Sequence, residues 1–256
     1  MAYPHVIYGS YGDEKVTSTT KLNSLGTKMI LPDGRTFAYS KLGATAAAAG
    51  FLYQGGAKNA NAKWDGTIAV STNGAVSDTT VYTMLASTVL AANVFEDGFL
   101  FTASSVGTGI GYSYKIKSHN GFAVTTGVVA FKLYENDAVK VAMQAGTTTV
   151  GARQNPYNNC LLTTADTVRV GPLAGVACCT AAASTYVWLQ TKGPAPVCTD
   201  GTLIVGLPVV AASIGCVAVV AGTASAGSVP AWEIIGTCMS VAASLQFSLI
   251  KLDLQG

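Results

Sequence analysis

Asp-Gly or Asn-Gly pairs occur at Asp33, Asp65, Asn73, Asp97, Asn120 and Asp200. Each pair favours backbone with φ > 0, and between two apolar runs it is the strongest short-range signal for a β-hairpin. The runs around them are strand-like. "TKMILPDGRTFAYSKL", "WDGTIAVSTNGAV", "GFLFTASS", "DAVKVAM" and "STYVWLQTKG" are rich in Val, Ile, Tyr, Phe and Thr. In "GYSYKIKSHNGFAV", Tyr112, Tyr114, Ile116 and Ser118 share one face and Lys115 and Lys117 the other, the pattern of a half-solvated antiparallel strand. These features predict an all-β protein, built of antiparallel, hairpin-rich barrel or sandwich modules with at most one short helix.

The candidate helix is "SDTTVYTMLASTVLAANVF". Ser77 and Asp78 are good N-cap types, and Val81, Met84, Leu85, Val89 and Ala92 fall near helical spacing, so a helix is expected over 78–92. A second run, Leu203 to Gly222, is uncharged over a membrane-spanning length. Gly206, Pro208, Ser213 and Gly215 break it into strand-sized pieces, and no Lys or Arg flanks it. It reads as two buried strands joined by a turn, not as a membrane span.

Composition narrows the function classes. Half of the 256 residues are hydrophobic and only 11% are charged, against a usual charged share of about 25%. Such a surface repels neighbours weakly and suits a protein that lives packed against others. A net charge of +2 with no basic cluster carries no nucleic-acid footprint. The first residues, "MAYPHVIYGSYGDEK", have neither a basic nor an apolar leader region, so synthesis in the cytoplasm is expected.

No reaction chemistry is legible. The chain has two histidines, His5 and His119. His119 precedes Asn120-Gly121 and reads as a solvated turn residue, and no G-x-S-x-G elbow supplies a nucleophile. "GTGIGYSY" looks like a phosphate loop, but a strand pattern follows it instead of a helix. The acidic pairs Asp13-Glu14 and Glu96-Asp97 are adjacent, and neighbours on a strand point apart. The six cysteines, Cys160, Cys178, Cys179, Cys198, Cys216 and Cys238, show no CxxC spacing and read as small buried thiols in a reducing compartment. The expectation is a non-enzyme with no cofactor and no metal. The aromatic residues are read as core or interface anchors and not as a sugar-stacking platform, with Tyr3, Tyr8, Tyr11, Trp64, Trp188 and Trp232 as interface candidates.

Two stretches carry a family resemblance. "LGTKMILPDGRTFAYSKLG" followed by "ATAAAAGFLYQ" resembles the N-terminal region of head structural proteins of tailed bacteriophages, especially marine and cyanophage types. "VWLQTKGPAPVCTDGTLIVGLPVVAA" and "EIIGTCMSVAASLQFSLIKLDL" are similar to the small β-barrel of capsid cement, or decoration, proteins. There Gly193, Asp200, Gly201, Gly206, Ile235, Gly236 and the strand from Phe247 to Leu254 fall at the family's turns and strands. The closing turn reads "AASLQ" where the family carries a Gly-Glu-like turn. The resemblance implies a virion protein on the capsid surface. It would bind the major capsid protein, associate with itself as a trimer and bridge neighbouring shell subunits. A tail-tube, fibre or adhesin-like β protein is the alternative.

Three segments are expected: an extended N-terminal arm over 1–20, a β-rich domain over 21–150 and a barrel-like cement module over 151–256. In the arm, Pro4, Gly9 and Gly12 prevent a continuous helix, while Tyr3, Val6, Ile7, Tyr8 and Tyr11 are too apolar for a solvated tail. An arm of this kind is expected to be mobile alone and to order when its tyrosines enter pockets on a partner.

Overall fold

The computed structural model describes residues 6–59, 61–86, 89–104, 109–123, 126–163, 169–220 and 233–254. It is all-β, with 44% strand and no α-helix among the described residues. The chain forms two compact units: one holds residues 1–57 and 156–256, and the other is the inserted segment 58–155. This differs from the expected division into 1–20, 21–150 and 151–256. The described residues before the insertion fold with those after it, because Thr36–Lys41 pairs with a strand around Trp188 and Leu52–Gln54 with one around Gly175.

The first unit begins with β1 (Val6–Tyr8), β2 (Lys28–Ile30), β3 (Thr36–Lys41) and β4 (Leu52–Gln54). The second unit holds β5 (Ile68–Ala69), β6 (Thr80–Ala86), β7 (Phe99–Thr102), β8 (Ser113–His119), β9 (Thr126–Leu133) and β10 (Thr149–Arg153). The chain then returns to the first unit with β11 (Leu161–Leu162), β12 (Leu173–Ala177), β13 (Tyr186–Cys198) and β14 (Pro208–Ala211). It ends with β15 (Val217–Val219), β16 (Ile234–Cys238) and β17 (Phe247–Asp253).

The Asp33-Gly34 pair does what its chemistry dictates. Gly34 takes φ 82°, its N–H donates to Leu31 O (2.9 Å), and Leu31 N–H donates to Arg35 O (3.0 Å). Asp33 accepts the Arg35 N–H (3.0 Å) and pairs with the Arg35 guanidinium (2.7 Å). The turn therefore pins the β2–β3 register, with Ile30 opposite Thr36. β1 then adds to the free edge of β2 in parallel, Val6 opposite Lys28 and Tyr8 opposite Ile30. Gly9 N–H continues the contact to Ile30 O (3.0 Å), Ile7 packs on the core, and Glu14 is buried. From Val6 onward the expected mobile arm is instead folded onto its own unit, because an apolar strand beside an open sheet edge satisfies its backbone there. Met1 to His5, with Tyr3, lie outside the described residues.

β13 organises this unit. Its first half pairs with β3 on one side and β12 on the other, and its second half pairs with β17. The register with β3 shifts between Gln190 and Lys192, a bulge at which the strand changes partners. The buried Gln190 amide donates to Lys192 O (3.1 Å) and Pro194 O (2.8 Å), covering carbonyls that the bulge frees. The sheet runs on from β17 to β16, β14 and β15, and the bridge Thr199–Val217 brings β15 back beside the end of β13. Within the uncharged run of 203–222, β14 and β15 pair as a hairpin, Val209 opposite Val219. Among the described residues no helix is long and apolar enough to cross a membrane.

The second unit is a six-stranded antiparallel sheet in the order β5-β10-β7-β8-β9-β6. The bridge Val70–Thr83 brings β6 back to β5, so the barrel is nearly closed. The helix expected over 78–92 is corrected here: residues 80–86 form β6, with Val81, Thr83 and Leu85 buried and Tyr82 and Met84 exposed. The period of two wins because β9 lies alongside over the full length of β6, Thr80 opposite Lys132 through Ala86 opposite Thr126. Thr and Val lose little in a strand and more in a helix.

Candidate functional site

Several of the described residues that could do chemistry are held in structural roles. No group of three or more His, Cys, Asp and Glu able to hold a metal occurs among the described residues. Asp97 adopts φ 57° and accepts the Tyr134 hydroxyl (2.7 Å). Asp13 accepts the Ser10 N–H (2.8 Å). Glycines 109 and 111 turn the chain into β8, a strand and not the helix that a phosphate loop needs.

His119 is a correction. It ends β8 as a buried side chain against Phe95 and Phe131, not as a solvated turn residue. Phe95 N–H donates to Nε2 (3.0 Å) and Nδ1–H donates to Asn120 O (2.9 Å), so both ring nitrogens are occupied in the neutral form. Burial holds its pKa below the usual histidine value of 6.5. The folded chain therefore takes up this proton less readily than the unfolded chain. Its stability contribution is full above about pH 6.5 and is lost as pH falls from there toward the lower folded value. Urea unfolding of wild type should weaken between about pH 6.5 and 5, before the carboxylates titrate, and His119→Gln should flatten that slope. An unchanged slope would place the proton elsewhere.

Cys198 and Cys216 form a disulfide, while Cys160, Cys178, Cys179 and Cys238 are free. The expectation of six reduced thiols is corrected by the meeting of two strand ends, since the bridge Thr199–Val217 lies next to the pair. Burial pushes the Cys178 thiol up to about 12, which leaves it inert. Its sulfur faces Val176 O and the Gln190 amide oxygen. Cys178 also lines a cavity of about 260 Å³ in the first unit, beside Glu14, Lys15 and Arg35. Glu14 lies 3.8 Å from Arg35 and 3.9 Å from Lys15, so one carboxylate meets two cations there.

The aromatic interface candidates separate into two groups. Tyr8 and Tyr11 are 85% and 64% exposed on the N-terminal segment. Trp64 and Trp188 are 2% and 6% exposed, which takes both away from any partner. Trp64 packs on Phe95 (4.6 Å between centroids) in the second unit, and Trp188 packs edge-on against Tyr39 (4.9 Å) in the first. Trp232 and Tyr3 lie outside the described residues.

The surface that the sequence reading missed lies on the last strands. Along β17, Ser248, Ile250 and Leu252 point into the core while Phe247 and Leu249 point out. Across the sheet, Pro196 of β13 stands opposite Leu249. On the other side Met239, just past β16, donates its N–H to Leu249 O (2.8 Å). Leu207 sits beside it, accepting the Cys238 N–H (3.0 Å). Two turns border this row with apolar tips, Ile204-Val205 and Leu245, where polar residues are the usual choice. Leu245 holds φ 64°, a conformation that a leucine rarely adopts. The seven large side chains here other than Pro196 are between 38% and 73% exposed. The clue in the sequence is "QFSLIKL", where the first half of one strand is apolar on both faces. Comparison with protein-family models, curated proteins and solved structures finds no match for the chain.

Proposed function

We propose that the protein is a virion structural protein: a capsid decoration, or cement, protein of a tailed phage. It binds the outer surface of the assembled shell, bridges neighbouring subunits of the major capsid protein and associates with itself. The observation that supports this reading most is the exposed apolar face of the first unit. Folding has closed three separate hydrophobic cores, yet a contiguous apolar row is left in water. Patches of that kind mark surfaces that a protein partner covers. The exposed Tyr8 and Tyr11 add large amphipathic anchors near the start of the chain.

The mechanism is physical. A packed shell is strained outward, and a bound protein that spans a subunit boundary adds buried apolar area at roughly 25 cal/mol per Å². Because it binds the assembled shell and not free subunits, mass action favours the assembled state. No bond is made or broken. The reading also fits the resemblance carried by 25–54, 187–212 and 233–254.

Immunogold electron microscopy with antibody against this chain, on particles made from the genome that encodes it, tests the proposal. Label spread over the heads is the expected result. Label on tails or fibres would move the protein to the alternative class, and unlabelled particles would overturn a virion role.

A further inference from the structure

We infer that the cavity beside Glu14 in the first unit is a binding site for a small zwitterion, an α-amino acid with a short aliphatic side chain. The inference stands apart from the proposed function, which needs no ligand there.

The cavity exists because the sheet divides at it. β13 leaves β3 at the bulge between Gln190 and Lys192, β12 meets β13 through Val176 and Ala177, and β17 takes over the second half of β13. The space left there, about 260 Å³, is below the roughly 300–1,000 Å³ of sites for drug-sized ligands, so its occupant is small. Val176, Ala177, Ala195 and Pro196 give it an apolar wall without an aromatic ring for a sugar to stack on.

The rest of the lining is charged. Glu14 is 3% exposed, and Gly12, at φ 104°, holds it by donating its N–H to Oε2 (2.7 Å). Oε1 lies 3.8 Å from Arg35 Nη2 and 3.9 Å from Lys15 Nζ, both longer than a hydrogen bond. A buried carboxylate oxygen thus has cations near it and room for a closer donor. Arg35 is fixed by Asp33 at Nε (2.7 Å) and lies against Gly193, where a Cβ would stand 2.9 Å from Arg35 Cγ.

Charge selects the ligand. Glu14 and Asp33 offset Arg35 and Lys15, and a neutral molecule keeps that balance. A lone amine would meet two cations, while a lone carboxylate would leave Glu14 without a donor. A wholly apolar molecule would strip water from the charges without pairing them. An amino acid meets each demand. Its ammonium donates to Glu14 Oε1, its carboxylate accepts from Lys15 and Arg35, and its side chain covers the apolar wall.

Isothermal titration calorimetry of the full chain tests this with L-valine, with isovalerate, which lacks the amine, and with isobutylamine, which lacks the carboxylate. Valine should bind with a dissociation constant of about 1 mM or below, and each fragment at least about tenfold more weakly. Glu14→Gln keeps an acceptor for the Gly12 N–H and should weaken valine at least about tenfold. Ala49→Trp fills the exposed rim of the cavity and should abolish binding with an unchanged melt, which keeps the test decisive if the Glu14 variant misfolds. Valine that does not bind at about 10 mM overturns the site. A fragment that binds as tightly as valine overturns the zwitterion, and valine binding that neither variant affects overturns the assignment to this cavity.

Discussion

Replacing Trp64 by alanine is expected to cost about 3–5 kcal/mol of stability, the range for deleting a fully buried large aromatic. The indole is among the largest fully buried side chains of the molecule. It projects from a short 3-10 turn, Ala62–Asp65, into the second unit's core, tilted on Phe95 and edge-on to Phe131 at 6.2 Å. The turn is set by local chemistry: Asn61 accepts the Lys63 N–H (3.0 Å) at its start, and Gly66 turns the chain at its end with φ 122°. Small domains hold only about 5–15 kcal/mol in total, so the loss should bring the unit close to unfolding at ordinary temperature. Urea denaturation followed by far-UV circular dichroism measures it, with Trp64→Phe expected to lose less. A residue used only to grip a partner would leave the unfolding midpoint unchanged. A shift under about 1 kcal/mol, the size of an ordinary surface change, would therefore return Trp64 to the interface.

Removing the Cys198–Cys216 disulfide should cost about 3 kcal/mol, the chain-entropy value for a closed loop of this size. The two residues are 18 apart in sequence with Cα atoms 4.5 Å apart. The link closes the end of β13 onto the start of β15, where Asp200 N–H also donates to Val217 O (2.8 Å). Both residues are buried, and losing one sulfur from each adds only a small cavity term to the entropy that the unfolded chain regains. Reductant on wild type and the double variant without reductant should therefore melt alike, both well below oxidised wild type. Alkylation under denaturing, non-reducing conditions should count four thiols: Cys160, Cys178, Cys179 and Cys238. A count of six, or a melt indifferent to reductant, would remove the link.

Local chemistry carried far along the chain. Asp33-Gly34 announced a turn and made one, because the conformation it needs is decided by two residues and their immediate neighbours. β8 and the hairpin of β14 and β15 were legible for the same reason, since alternation and breakers act within a few residues. Even there the turn signal did not name a hairpin each time. Asp65-Gly66 ends a 3-10 turn, and Asn73 instead accepts the Ala145 N–H at its side-chain oxygen (2.8 Å). β6 shows where local preference is undecided: its apolar residues suit two periods, and the neighbour β9 chose between them.

The residues by themselves determined an all-β chain, short of charge, punctuated by turns and without a legible reaction centre. Only the tertiary structure decided which strands meet. Tyr39 stands opposite Trp188 across an inserted unit, and no local signal names a partner so distant in sequence. Strand pairing within each unit buried Trp64 and Trp188, which the aromatic pattern had offered to a partner, turned His119 inward, and brought Cys198 to Cys216. It also left Phe247, Leu249 and Met239 in water. Strand alternation says that two faces exist, but which face is covered depends on what the rest of the chain places against it.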